Sequence, residues 1–177
     1  MTGAFLFGKL PAHGDFVSRG LTAAERETMD AWLSAEMAAA RAALREHFEQ
    51  AFDAAPPWRF TWNTGDGWTA GALAPSIDGV GRRYPVLLGR RGLTAGEAGC
   101  VAEACEDTLY AALTGGWSAD MVIESAQAGA AGAATRSPDS ARWWTAGGAG
   151  YAPAERAGQW PERLICALLT ATGGSAA

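Results

Sequence analysis

Residues 58–75 read WRFTWNTGDGWTAGALAP, and the fold class turns on this stretch. WRFTW (58–62) is aromatic and has strand character. NTGDG (63–67) is a cluster of turn formers, and WTAGALAP (68–75) reads as the strand that returns from it. Together they make a hairpin. The turn-rich PSIDGVGRR (75–83) follows, and then YPVLLGR (84–90), a further strand candidate. Consecutive strands in mid-chain favour antiparallel pairing over a doubly wound parallel sheet.

The flanking segments supply helices. GAFLFGKL (3–10) is a short apolar run closed by Pro11, the pattern of a buried strand, and a loop over 11–21 follows it. Thr22 and Glu25 have the spacing of a reciprocal capping box. Met29, Leu33, Met37, Ala40, Leu44 and Phe48 then form one stripe of a helix running to about Phe52, widened by Trp32 and Phe52. Glu25, Arg26, Asp30, Glu36, Arg41 and Arg45 occupy its other positions. Pro56-Pro57 stops it. Thr94 and Glu97 repeat the capping pattern and open a second helix over about 95–113, with Val101, Cys105, Leu109 and Leu113 on one face. Gly115-Gly116 ends that helix.

Residues 118–125 suit a short helix or a strand, and 126–140 (AQAGAAGAATRSPDS) reads as a surface loop of low complexity. A strand over 141–148 and a short helix over 160–170, with Pro161 in its first turn, complete the chain. The expected fold is α+β: a mostly antiparallel central sheet in two or three layers, packed by one long N-terminal helix and a second mid-chain helix. A single domain over 1–177 is expected.

Bulk composition narrows the function classes. With 49% hydrophobic and 19% charged residues, the chain is globular and not disordered. A net charge of −5 argues against non-specific nucleic-acid binding. Arg82, Arg83, Arg90 and Arg91 lie close in sequence, as a local basic spot or as a solvated strand edge. Cys100, Cys105 and Cys166 lack metal-type spacing and read as buried free thiols, which fits a reducing compartment. The N-terminal residues do not resemble a secretory signal, and no apolar run approaches the ~20 residues needed to span a bilayer. A cytoplasmic protein without membrane insertion is expected.

GKLPAHGDFVSRGL (8–21) begins like a phosphate-binding loop, but Leu10 and Pro11 follow Lys9 where that motif needs Ser or Thr at the head of a helix. A hydrolase would recruit Ser76, Asp78 and His13, yet GALAPSIDG contains no GxSxG elbow. What remains are turn formers, Gly14-Asp15 in one loop and Asp78-Gly79 with Gly81 in the other. Asp15 and Arg82 are candidates for a charge-assisted pair between the loops.

These residues carry a resemblance. Gly8, Lys9, Leu10, Pro11, Gly14, Asp15, Phe16 and Val17, then Trp58, Arg59 and Phe60, then Pro75, Ser76, Asp78, Gly81, Arg82 and Pro85 resemble the TagF family, also called ImpM, of bacterial type VI secretion. The match is dense over the first half. Trp143 and Trp144 resemble a late tryptophan pair of the family. Tyr84 stands where phenylalanine is common, and the Ala/Gly-rich 126–135 matches no family feature.

The resemblance implies a non-enzymatic cytoplasmic α/β protein that represses assembly of the secretion system post-translationally. It implies a protein partner, the forkhead-associated scaffold of the system, and no cofactor, catalytic residue or metal ligand. Candidate partner-binding or loop-shaping residues are Lys9, His13, Gly14, Asp15, Phe16, Arg19, Ser76, Asp78, Gly81, Arg82 and Arg83. Two alternatives are a small hydrolase and a sensor that binds a phosphorylated ligand through the arginines of 82–91.

Overall fold

The computed structural model describes residues 2–129 and 139–170. Seven strands form one sheet: β1 (Gly3–Gly8), β2 (Val17–Arg19), β3 (Trp58–Asn63), β4 (Trp68–Ala74), β5 (Val86–Leu93), β6 (Arg142–Thr145) and β7 (Ala154–Ala157). Their order is β2-β1-β5-β4-β3-β6-β7, and every neighbouring pair is antiparallel. The hairpin turn at 64–67 joins β3 to β4, with Trp58 opposite Leu73 and Asn63 opposite Trp68.

Side-chain alternation gives the two faces of the sheet different cores. One face carries Phe5, Phe7, Trp58, Phe60, Trp62, Leu73, Leu87 and Trp143. Against it pack α1 (Ala23–Leu44), α2 (Phe48–Ala54) and α5 (Leu164–Thr170). The other face carries Ala4, Leu6, Ala70, Ala72, Ala74, Val86 and Leu88, covered by α3 (Ala95–Gly115) and α4 (Ala119–Ala128). The fold is therefore α+β in three layers. The row of β4 alanines leaves room for α3 to lie close to the sheet. On the opposite face, the Phe5 and Phe60 rings lie over the backbone of Gly89.

Both capping boxes form, Thr22 with Glu25 at the head of α1 and Thr94 with Glu97 at the head of α3. The stripe on α1 is buried through Ala40, but the helix does not run unbroken to Phe52. It stops at Leu44, Arg45 takes a positive φ of 49°, and a 3-10 turn over Arg45–His47 leads into α2. The break redirects the chain so that Phe48 and Phe52, with ring centroids 5.5 Å apart, both enter the core.

The ambiguous 118–125 is helical, as part of α4. The loop expected over 126–140 begins later, since Ala126–Ala128 close α4, and 130–138 lies outside the described residues. Pro161 precedes α5 and is not in its first turn. Glu36 of α1 explains where α5 begins: it is buried, and its carboxylate accepts the N–H groups of Arg163 at 2.7 Å and Ile165 at 3.0 Å. Two edge strands were absent from the sequence reading, β2 inside the expected loop 11–21 and β7 near the C-terminal end.

Candidate functional site

The segments 8–19 and 75–85 meet where β1 ends and β5 begins. β1 and β5 are paired, with Gly8 opposite Val86. Gly8 has a φ of 130°, and an added Cβ would lie 2.1 Å from the Pro85 carbonyl oxygen. Only glycine lets the two strands approach this closely and lets the chain turn into Lys9.

Lys9 enters a buried pocket and donates to Asp78 Oδ2 at 2.7 Å. Asp78, fully buried at its side chain, is the hub of the corner. Its Oδ2 also accepts from Arg82 Nε at 2.7 Å. Its Oδ1 accepts the backbone N–H groups of Val80 at 3.1 Å and Arg82 at 2.9 Å. Gly81, with a φ of 85°, allows the reversal that brings Arg82 back over the carboxylate. Burial alone would raise the Asp78 carboxyl. The hydrogen bonds from Lys9, from the backbone and side chain of Arg82 and from the Val80 backbone outweigh it and hold the carboxyl far below the usual carboxylate range.

The same residues fasten one loop to the other. Ser76 Oγ donates to the Lys9 carbonyl at 2.7 Å, the Gly79 N–H donates to the His13 carbonyl at 2.7 Å, and Arg82 Nη2 donates to the Gly14 carbonyl at 2.7 Å. Loops held this way are stiff, because moving either one breaks the buried Lys9–Asp78 pair together with the bonds from Ser76 and Gly79.

The structure separates the remaining candidates. His13 Nε2 accepts the Ala119 N–H at 3.0 Å, and Arg19 pairs with Asp120 at 2.7 Å, so both residues anchor the N-terminal turn of α4. Arg83 reaches Asp53 at 2.7 Å and Glu49 at 3.1 Å on α2. The Asp15–Arg82 pair does not form. Arg82 is engaged by Asp78 and Gly14, while Asp15 Oδ1 accepts the N–H of Phe16 at 2.9 Å. The four arginines do not make one basic spot either. Arg90 donates to the Gly129 carbonyl and Arg91 pairs with Glu25, at the far end of β5 from Arg82 and Arg83. Ser76 and His13 are each bound to a different backbone group, so the hydroxyl–imidazole bond that a hydrolase needs is not made.

The latched loops leave three large apolar side chains at the surface, beside the exposed charges of Asp15, Arg19 and Arg82. Phe16 is 47% exposed, Ile77 41% and Val80 70%. Phe16 is braced by an edge contact with Tyr84, ring centroids 4.8 Å apart, and by the Lys9 ammonium 5.0 Å from its ring. Burial pushes the Tyr84 hydroxyl up to about 12. Beside Ile77 lies a groove of about 290 Å³, walled by Pro11, Phe52, Pro75 and Leu113, with Asp53 at its side. Ile77, Val80, Phe52 and Leu113 were not among the sequence candidates. The signal for the first two was present: two large apolar residues inside a segment otherwise composed of turn formers.

Among the described residues, no group of three or more His, Cys, Asp or Glu could hold a metal ion. Cys100 is half-buried, Cys105 and Cys166 are buried, and all three thiols are free. No helix among the described residues is long and apolar enough to cross a membrane.

A crystal structure of PA0076 from Pseudomonas aeruginosa PAO1 has the same fold, with a TM-score of 0.75 and 25% identity over 97% of this chain and 96% of that one. The shared fold thus takes in β6, β7 and α5 as well as the motif-bearing half. No curated protein matches the chain at a significant level. A family model described as the TagF N-terminal domain, type VI secretion system-associated, matches residues 5–128, from β1 to the end of α4 and including both loops of the corner. The chain belongs to the TagF family of type VI secretion system-associated proteins.

Proposed function

We propose that this chain acts in the cytoplasm as one TagF-like domain over 1–177. In this reading it is a non-enzymatic repressor that restrains assembly of the secretion system post-translationally. It does so by binding the system's forkhead-associated scaffold, and the corner built from 8–19 and 75–85 is the docking face.

One observation carries the reading. Asp78 gathers four hydrogen bonds from two loops, and the latch it makes presents Phe16, Ile77 and Val80 outward beside an apolar groove. Exposed apolar groups on a stiff frame, with Arg82 at their edge, are what a protein interface uses as anchors. A frame fixed before binding also reduces the ordering cost of association. Lys9, Ser76, Asp78 and Gly81 shape this face, and Phe16, Ile77, Val80 and Arg82 touch the partner.

Co-purification of the scaffold with the full chain tests the proposal. Val80→Asp adds a charge at an exposed position and should leave the fold intact. Retention of the scaffold should fall at least about tenfold, the scale of one interface hot spot. A folded Val80→Asp variant that retains the scaffold as well as the parent would refute the docking face.

A further inference from the structure

A second concave site lies at the other end of the central strands. A cavity of about 450 Å³ opens between the head of α1, the β3–β4 turn, the end of β5 and the segment before α5. Its volume falls in the range of small-molecule sites, roughly 300–1,000 Å³. None of its lining residues belongs to the corner.

Trp62 and Trp160, with ring centroids 5.4 Å apart, supply its aromatic lining. Phe5 also lines it, but the Phe5 ring already carries the Arg91 guanidinium at 4.6 Å. Two polar groups of largely buried lining residues are unspent, and neither is sealed from solvent. Thr69 is 3% exposed and Trp62 4% exposed, and neither the Thr69 hydroxyl nor the Trp62 indole N–H makes a hydrogen bond among the described residues. Solvent reaches both atoms, so a ligand with a polar atom of its own can take the place of water there.

Charge selects the class of ligand. Glu25 at the mouth is engaged by Thr22 and by Arg91, at 3.1 Å. Asp66, in the exposed β3–β4 turn, lines the same cavity and makes no ion pair or hydrogen bond among the described residues. An unpaired carboxylate on a cavity that tryptophan rings also line favours a positive charge on an apolar body, held by the carboxylate and by cation–π attraction. The Trp62 N–H calls for an oxygen acceptor, and the Thr69 hydroxyl serves either sense.

We propose that this cavity binds a small organic cation, a quaternary or protonated amine that also carries a hydroxyl or carbonyl oxygen.

The test is titration of the full chain with choline and acetylcholine, read by tryptophan fluorescence and thermal shift. The carbon isosteres 3,3-dimethylbutan-1-ol and 3,3-dimethylbutyl acetate, which have the same shapes without the charge, serve as controls. At least one of the two cations should give a saturable signal, with an affinity about tenfold or more above that of its neutral isostere. Asp66→Asn, at an exposed turn position, should weaken cation binding about fivefold or more and leave the Tm of the free protein unchanged. The proposal is overturned by an absence of saturable response to both cations, by equal response to cation and isostere, or by unchanged cation binding in a folded Asp66→Asn variant.

Discussion

At the Gly8–Val86 end of the paired strands β1 and β5, the buried side chains of Lys9, Ser76 and Asp78 are all hydrogen-bonded. At the Gly3–Arg91 end, the buried side chains of Thr69 and Trp62 leave polar atoms without a bond among the described residues, around a cavity of about 450 Å³. The same two strands thus support one end where Lys9, Ser76 and Asp78 are latched together, although the buried Trp58 indole N–H near it has no partner among the described residues, and one end whose spare polar atoms line a cavity. The latched end resists deformation and presents a fixed outer shape, which suits a protein partner. An unsatisfied, hollow end gains most from a molecule that enters it.

The largest way to break this contrast is Gly8→Ala. The new Cβ meets the Pro85 carbonyl in a backbone conformation that alanine rarely adopts, so β1 and β5 must separate at the corner. Chemical denaturation should show a loss of about 3 kcal/mol or more. A loss under about 1 kcal/mol would mean that the corner is pliable and the contrast false.

Asp78→Asn comes next, and pH exposes it. The folded carboxyl lies far below its ordinary value of 3.8. Its contribution to stability is therefore complete above that value and is lost as pH falls from there towards the folded value, because the unfolded chain takes up the proton first. The parent Tm should fall more steeply than that of Asp78→Asn between about pH 5 and pH 2. The variant should also start lower, since Lys9 is left buried without its counter-charge. Parallel acid profiles would show that the latch contributes nothing. The smallest effect belongs to the other end, where Asp66→Asn should move ligand response and not stability.

The sequence made some of this legible for local reasons. Capping boxes span four residues, and a four-residue turn joins β3 to β4, so both are written in adjacent positions. The antiparallel sheet and its helices were legible, but two or three layers stayed open; large aromatics at alternate positions of β3 and alanines at alternate positions of β4 decide for three. What the sequence hid was non-local or too short to carry a pattern. β7 reads AERA, a composition that favours helix, and only its pairing with β6 makes it a strand. The break at Arg45 carries neither glycine nor proline to announce it. Glu36 sits among polar helix positions, yet it is buried because its partners lie 127 and 129 residues further along the chain.

The candidate site divides the same way. Turn chemistry marked the two loops correctly, and the family motif named their residues. It could not say that Asp78 would take Lys9, 69 residues away, while Asp15 stayed with its neighbour Phe16. Nor did the motif mark Ile77 and Val80, which lie between its fixed positions.

Amide hydrogen exchange of the full chain, with and without the purified forkhead-associated scaffold, tests the central claim most directly. Peptides covering 11–19 and 75–83 should gain protection, and those covering 62–69 should not. Protection that spares both loops, or that appears only around the cavity, would contradict it.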